Sequence, residues 1–502
     1  MKLKKNEKLK KRLNPEKLYI SSLDYLRHVL LKKYSKNIKR KLFDEKDLNT
    51  TESGFYKEYP IVLSTTFSSR SCLPYFAHDF LFDYIIMDEA SQVDVSTGAL
   101  AISCAKNAVI VGDKKQLPNV VTSLDKKKAE EIFAAYKINS AYDFSKHSFL
   151  SSLEELLPSI PQTLLREHYR CHPKIINFCN QKFYDNQLLI MTNDNDEKNV
   201  LRVYRTNVGN HCRGHENQRQ VDIIKNEILP EICEIENDKI GIIAPYRDQT
   251  SLISENIPNI QADTVHKFQG REKDVIIIST TDDKITDFSD DANLLNVAIS
   301  RAKTNLYIVV SGNEQPKNKN LSDLISYIQY NNCEITDSKV NSVFDYLYSQ
   351  YTKKRFEYLS KFKKISQYDS ENLIYKLISE IIEMEEFRFL NVIFEQPIKE
   401  IIPKTKLDIF TEIEKNYALN DLTHIDFFIY NKITKNPILA IEVDGYKYHK
   451  KGTRQSERDK LKNHILELCE IPLLRLSTTG SGEKEKILDY LRRSIYPESS
   501  LQ

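Results

Sequence analysis

The stretch 84–94, YIIMDEASQVD, runs an apolar segment straight into Asp88-Glu89-Ala90-Ser91. A short apolar run of this kind, closed by polar residues, is the pattern of a strand buried in a parallel sheet. Two adjacent carboxylates at the mouth of such a strand are what nucleoside-triphosphate hydrolysis uses to hold magnesium and orient the attacking water. The phosphate cradle that accompanies them, G-x-x-x-x-G-K-[ST], occurs nowhere in the 502 residues, which hold only 12 glycines.

Outward from this stretch the same pattern repeats. Between about 60 and 125, YPIVLSTT, YIIMDEA and NAVIVGD alternate with polar or helical stretches, and between 200 and 312 NVLRVYR, KIGIIAPY, DVIIIST and LYIVVSG do so again. Alternation of this kind gives α/β units with parallel sheets. We divide the chain into a basic helical or disordered arm (1–55), an α/β unit ending in a helical linker (56–160), a second α/β unit (161–313), a Tyr/Lys-rich helical linker (314–364) and a third unit (365–497).

Composition narrows the class. The 73 Lys+Arg and 71 Asp+Glu nearly cancel, so a nucleic-acid footprint has to be a local patch. Residues 1–41 are such a patch, with fifteen Lys/Arg against three Asp/Glu. They read either as a solvated charged arm or as a source of salt-dependent phosphate contacts. Eight cysteines without a C-x-x-C pair point to a reducing compartment, and His211-Cys212-Arg213-Gly214-His215 reads as a loop in preference to a metal site. No apolar run reaches 18 residues, and the N-terminus has no h-region, so we expect a cytoplasmic protein without membrane contact.

Further runs set the site. IVGDKKQLP (110–118) is a strand end followed by Gln116, LLREHYRCHP spans 164–173, TVHKFQGREKDVIIIS 264–279 and LLNVAISRAKTNLYIVV 294–310. With the DEAS segment, these runs resemble, in order, motifs II to VI of superfamily 1 helicases, in the branch that holds nonsense-decay RNA helicases and replication helicase-nucleases. The resemblance implies two RecA-like domains, the first incomplete, with ATP and Mg²⁺ as cofactors.

By that resemblance Asp88 holds Mg²⁺, Glu89 polarises water and Gln116 senses the γ-phosphate. Arg170 and Arg301 act as arginine fingers, Tyr169 stacks on adenine and Glu272 takes the ribose hydroxyl. Nucleic acid, as single-stranded or partly duplex DNA or RNA, is met by Ser64, Thr65, Thr66, Ser68 and Ser69 and by Thr264 and His266, whose contacts go to the backbone. His168 and Cys171 depart from the usual Gln and Met. The absent phosphate cradle implies the C-terminal part of a longer helicase, served by a P-loop-bearing partner polypeptide or left as a non-catalytic nucleic-acid-binding remnant.

The third unit carries different chemistry. HIDFFIYNKITKNPILAIEVDGYKYH (424–449) reads as two strands about a turn centred on Thr434, which sets Asp426 opposite Glu442. Period-2 geometry adds Asp444 to the same side as Glu442. Acids gathered where a sheet avoids like charge call for a cation. A helix with Gln455, Arg458 and Lys462 on one face follows, then a strand at 472–476, and an upstream helix carries Glu371.

This order resembles the PD-(D/E)xK, restriction-endonuclease-like fold, and specifically the DUF2726 group akin to very-short-patch-repair endonucleases. The resemblance implies Mg²⁺ on Asp426 and Glu442, with the Val443 carbonyl as a further ligand. It leaves His449, Gln455 or Lys462 to act on water or phosphate. The usual lysine at 444 is aspartate here. Phage defence or repair is the biological setting that the pairing of helicase and nuclease implies.

Overall fold

The computed structural model describes residues 15–34, 43, 55–74, 80–136, 138–208, 212–348, 351–360, 362–445 and 454–496. The chain forms two compact units, one of 1–114 with 118–160, the other of 115–117 with 161–502. Gln116, assigned from sequence to the first α/β unit, thus belongs with the second, where its neighbour Leu117 joins a core cluster.

In the first unit, helix α1 (Pro15–Tyr34) lies within the basic segment. Strand β1 (Phe82–Met87) pairs in parallel with β2 (Ala105–Ile110), in register Ile86↔Val109 and Met87↔Ile110. Helices α2 (Val95–Ile102), α3 (Ser123–Tyr136) and α4 (Phe149–Leu156) follow in the chain. The pleat divides this small sheet sharply. Ile85, Met87 and Ile110 turn towards Ala101, Phe149, Leu150 and Leu153 of α2 and α4. On the opposite face Tyr84, Ile86 and Val109 are 65%, 72% and 45% exposed.

The expected strand at 60–66 is not in a sheet. Ile61–Leu63 belongs to no strand, and Ile61 and Leu63 are exposed. Its β-branched sequence has the propensity but finds no ladder among the described residues, and a lone strand cannot satisfy its own backbone.

Among the described residues the second unit holds two large sheets and a two-stranded parallel pair, Glu167–His168 with Leu189–Ile190. Six parallel strands lie in the order β8-β3-β7-β6-β4-β5: Glu334–Asp337, Leu201–Arg205, Ala302–Val310, Lys273–Ser279, Ile240–Ala244 and Gln261–Thr264. Alternate residues divide between two cores, Ile243, Ile276, Ile278 and Ile308 on one face and Ile242, Val275, Ile277 and Val309 on the other. This two-sided burial is what a parallel sheet demands, and it accounts for the unbroken apolar runs in the sequence. The segment read as a helical linker holds helices at Asn320–Tyr330 and Thr352–Leu359 and, between them, also contributes β8, a four-residue edge strand pairing in parallel with β3. Glu-Ile-Thr-Asp is too short and polar to announce itself, and pairing with an existing edge supplies the order.

The second sheet, β9-β10-β11-β12, comprises Leu390–Pro397, His424–Asn431, Pro437–Asp444 and Leu473–Ser477, antiparallel, antiparallel and parallel in turn. Helix α9 (Asp369–Ile382) packs in the cluster holding Phe427, Ile429, Ile441 and Leu476, with helix α11 (Glu483–Ile495). Helix α10 (Arg454–Leu468) packs with Phe428 and Ala440 on the other face.

Between the two sheets the chain is stapled by Glu483, which accepts from Ser342 Oγ and Val343 N at 3.0 Å each. Burial pushes its carboxyl from 4.5 up to about 6, against the opposing pull of Arg219. A raised carboxyl contributes stability that is complete below the unfolded value and lost as pH rises through the folded one. At about 1.4 kcal/mol per unit, this costs about 2 kcal/mol between pH 4.5 and pH 7. The expected result is a stability-versus-pH slope in urea titrations that falls across this window, and that Glu483→Gln flattens.

Candidate active site

At the carboxyl end of β1, Glu89 sits in the left-handed region, φ 54 and ψ 37, a conformation a glutamate adopts only under constraint. The constraint is visible: Asp88 Oδ1 accepts from Glu89 N at 2.9 Å, Ala90 N donates to Val111 O at 2.9 Å, and Gln92 Nε2 donates to Glu89 Oε2 at 3.0 Å. Gly112 permits this close approach, because a Cβ there would lie 3.0 Å from Ser91 N and from Leu150 Cδ2. Ser64, Thr65, Thr66, Ser68 and Ser69 form a turn. Ser69 Oγ donates to Thr66 O at 2.8 Å and Ser68 N to Thr65 Oγ1 at 3.3 Å, leaving Ser64 and Thr65 exposed.

In the second unit the sequence-assigned nucleotide residues come together. Arg170 is ion-paired with Glu272, which also takes Lys303 Nζ at 2.8 Å. Hydrogen bonding from Lys303, with Arg170 beside it, holds the Glu272 carboxyl below its ordinary range. Tyr169 is 66% exposed, its hydroxyl donating to Glu167. Arg301 is 3% exposed and donates from Nε to Val297 O at 3.3 Å. Thr264 is buried and opens the turn that carries His266. Packing and Arg247 hold the His266 imidazole below its usual range.

The two departures from the helicase pattern have a local use. His168 Nε2 accepts from Cys171 N at 2.9 Å, and Cys171 Sγ donates to Ser300 O at 3.3 Å, pinning the turn that presents Tyr169 and Arg170. Burial, with Arg170 adjacent, pushes His168 down to about 4, so the ring is neutral and free to accept. The His211–His215 loop reading leaves His211 outside the described residues. Cys212 is pushed up to about 12 by burial and by Asp283 and Asp282, which disfavours the thiolate a metal needs.

The acidic site of the third unit is the densest constellation. The register Phe427↔Ile441 puts Asp426 beside Glu442, and Asp426 N donates to Glu442 Oε1 at 3.3 Å. Asp426 Oδ2 accepts from Val443 N at 2.7 Å. Lys462, reaching in from α10, donates to Glu442 Oε2 at 2.8 Å and to the His424 carbonyl at 2.9 Å. Burial raises both carboxyls. Asp426 feels Glu371 besides, and Glu442 feels Asp426, each against the opposing charge of Lys462. Glu371 is likewise raised, by burial and then by Glu395 and Glu442.

Carboxyls raised by burial and then by one another, with Lys462 beside them, fit a hard divalent cation, whose preferred ligands are carboxylate oxygens. Asp426 and Glu442 are the residues placed to hold it.

Asp444 stands differently from its sequence reading. Arg475 Nη1 on β12 is 2.7 Å from Asp444 Oδ1, and Arg475 also reaches Asp459 at 3.3 Å and Asn463 Oδ1 at 3.0 Å. Asp444 is thus an arginine's partner, its charge taken by the parallel neighbour strand. The sequence reading also missed Glu395 of β9. Its neighbours Phe394 and Gln396 pair with Phe427 and Ile425, so it lies alongside Asp426, with φ 51. A non-glycine in that conformation beside clustered acids marks a constrained site, and nothing in the sequence signals it. His449 lies outside the described residues, as does the side chain of Gln455.

Residues 2–124 and 145–313 each match an AAA domain family, and residues 367–495 match a protein family of unknown function, DUF2726. Relatives of the chain outside the DUF2726 match are helicases by name. A probable helicase of Dictyostelium discoideum is 28% identical over 57% of this chain and 30% of its own length. An uncharacterised ATP-dependent helicase of Methanocaldococcus jannaschii is 28% identical over 49% of this chain and 38% of its own. The DNA replication ATP-dependent helicase/nuclease of Gallus gallus is 27% identical over 45% and 23%. The chain therefore spans about a quarter to two-fifths of these relatives. Among the described residues no helix is long and apolar enough to cross a membrane.

Proposed function

We propose that this chain is the C-terminal part of an ATP-dependent superfamily 1 helicase, acting on DNA or RNA, whose appended third domain is a Mg²⁺-dependent nuclease of restriction-endonuclease-like fold. The observation that carries the nuclease reading is the meeting of Asp426, Glu442 and Lys462 across the β10–β11 hairpin and α10. Asp426 and Glu442 would hold a divalent cation there, which would supply Lewis-acid polarisation of a phosphoryl oxygen and a bound water of lowered pKa. The backbone N–H of Val443 fixes the Asp426 carboxylate in place. Lys462, anchored by the His424 carbonyl, supplies a cation beside Glu442 for the scissile phosphate, the role that the resemblance gives to a lysine where this chain has Asp444. The test is a Mg²⁺-dependent cleavage assay on single-stranded, duplex and mismatched DNA and on RNA. No cleavage of any substrate defeats this reading.

For the helicase segment, Asp88, Glu89, Gln116, Arg170, Arg301, Tyr169 and Glu272 supply every nucleotide-facing role except the phosphate cradle, and a P-loop-bearing polypeptide supplies that. The purified 502 residues are expected to bind ATP weakly and to show no ATPase stimulated by single-stranded DNA. Stimulated turnover by the chain alone removes this reading. The mutual ion pair of Arg170 and Glu272 favours a second reading, in which this segment binds nucleic acid without hydrolysing ATP, because both groups are engaged with each other.

A further inference from the structure

We propose that Arg219 is a positioning residue for the acidic site, holding the turn that follows β12 and coupling that site to the carboxyl edge of the six-stranded sheet. This rests on reading Asp426 and Glu442 as a metal-dependent phosphodiesterase site. Arg219 lies on helix α6 (Gln218–Ile223) and is almost fully buried. Its guanidinium donates to the Gly480 carbonyl and pairs with Asp345 at 3.0 Å. One turn of helix further, Asp222 accepts from Ser481 Oγ, and Arg213 Nη2 reaches Thr478 O at 3.5 Å. Gly482 N donates to Asn341 O at 2.8 Å. The turn 478–482 is thus fixed by charged and backbone partners along its length.

That turn grows directly out of the acidic site. Thr478 N donates to Asp444 O at 3.0 Å, and Arg475, three residues earlier, holds the Asp444 carboxylate. In the parallel ladder Glu442 pairs with Arg475 and Val443 with Leu476. Movement of 478–482 therefore displaces the strand beside Glu442.

On its other side, α6 is locked to the six-stranded sheet by buried amides. Gln220 Oε1 accepts from Ser279 Oγ at 2.7 Å and from Thr281 N at 2.9 Å. Asn217 N donates to Gln249 Oε1 at 2.6 Å, and Asn217 Nδ2 to Thr281 O at 2.8 Å. Buried amides paired at both ends transmit displacement because neither end relaxes without losing a bond. Every partner in the chain Thr281–Gln220–Arg219–Gly480–Thr478–Asp444 is joined by a hydrogen bond or a short covalent step.

The experiment compares the full chain with Arg219→Ala and Arg219→Lys by amide hydrogen exchange, and measures the Mg²⁺ concentration for half-maximal cleavage. Arg219→Ala is expected to raise exchange about tenfold or more through both 478–482 and 473–477, because the buried charged bonds to the Gly480 carbonyl and Asp345 are lost. It is expected to raise the Mg²⁺ half-saturation several-fold with the maximal rate less affected. Arg219→Lys, which retains charge without the two-pronged geometry, falls between and keeps the proposal testable if the alanine variant does not fold. Faster exchange confined to 478–482, with 473–477 and the Mg²⁺ dependence at wild-type values, overturns it. Wild-type chain that cleaves nothing defeats the nuclease reading instead, and the exchange pattern at 473–477 still decides the coupling.

Discussion

Asp426→Asn is expected to lower the proposed Mg²⁺-dependent cleavage by roughly a thousandfold while leaving the fold intact. Metal-ion stabilisation of a phosphoryl transition state is worth several kcal/mol, and each 1.4 kcal/mol is about tenfold in rate. Asparagine keeps an oxygen to accept from Val443 N, so the 2.7 Å bond that orients position 426 survives. What it removes is a carboxylate that burial and Glu371 already make costly. Without metal the variant is therefore expected to melt no lower than wild type, as sites built of mutually repelling groups give up stability for function. Cleavage rate and melting temperature measured on one preparation check both halves. Equal cleavage by wild type and variant shows that the acids serve another purpose. Asp444→Asn is the control, because Asp444 belongs to Arg475, and its effect on Mg²⁺ half-saturation is expected to be the smaller.

Lys462→Met acts in the opposite sense on stability. It removes the ammonium 2.8 Å from a buried carboxylate and the donor to the His424 carbonyl. Breaking a buried pair from one side costs about 3–5 kcal/mol. The loss grows with pH. With its partner gone, the Glu442 carboxyl is raised further, and a raised carboxyl withdraws stability as pH climbs through its folded value. Cleavage is expected to fall by about 10²–10⁴, the range for loss of a positioned acid–base or charge-bearing group. Mg²⁺ binding is expected to tighten at the same time, since Lys462 and the cation would compete for Glu442. Calorimetric Mg²⁺ titration read against rate separates this from unfolding: a variant that loses metal binding and rate together is merely misfolded.

These two residues show how far the sequence carried. Arithmetic about Thr434 sets Asp426 opposite Glu442, and the ladder agrees from Ile429↔Leu439 onward, whereas the register shift between Ile429 and Tyr430 beside the turn left no mark in the sequence. Arg475 could not be paired with Asp444 in the same way, because β12 joins in parallel after an intervening helix, and parallel register has no local turn to set it. The six-stranded core was legible because a sheet buried on both faces writes its strands as continuous apolar runs. Strand β8 was not, since an edge strand keeps polar residues. Glu395 was invisible for a different reason: its importance lies in a backbone angle, and composition at one position says nothing of φ. The helicase residues were legible as motifs. The ion pair that joins two of them, Arg170 to Glu272, depends on folding distance alone.

The outer face of the β1–β2 sheet bears on how this protein behaves in a test tube. Among the described residues, Tyr84, Ile86 and Val109 form an exposed apolar strip on a parallel ribbon two strands wide. Ribbons with open edges and greasy faces template association with whatever strand arrives first. Concentration and salt are therefore conditions to hold fixed in every assay described above.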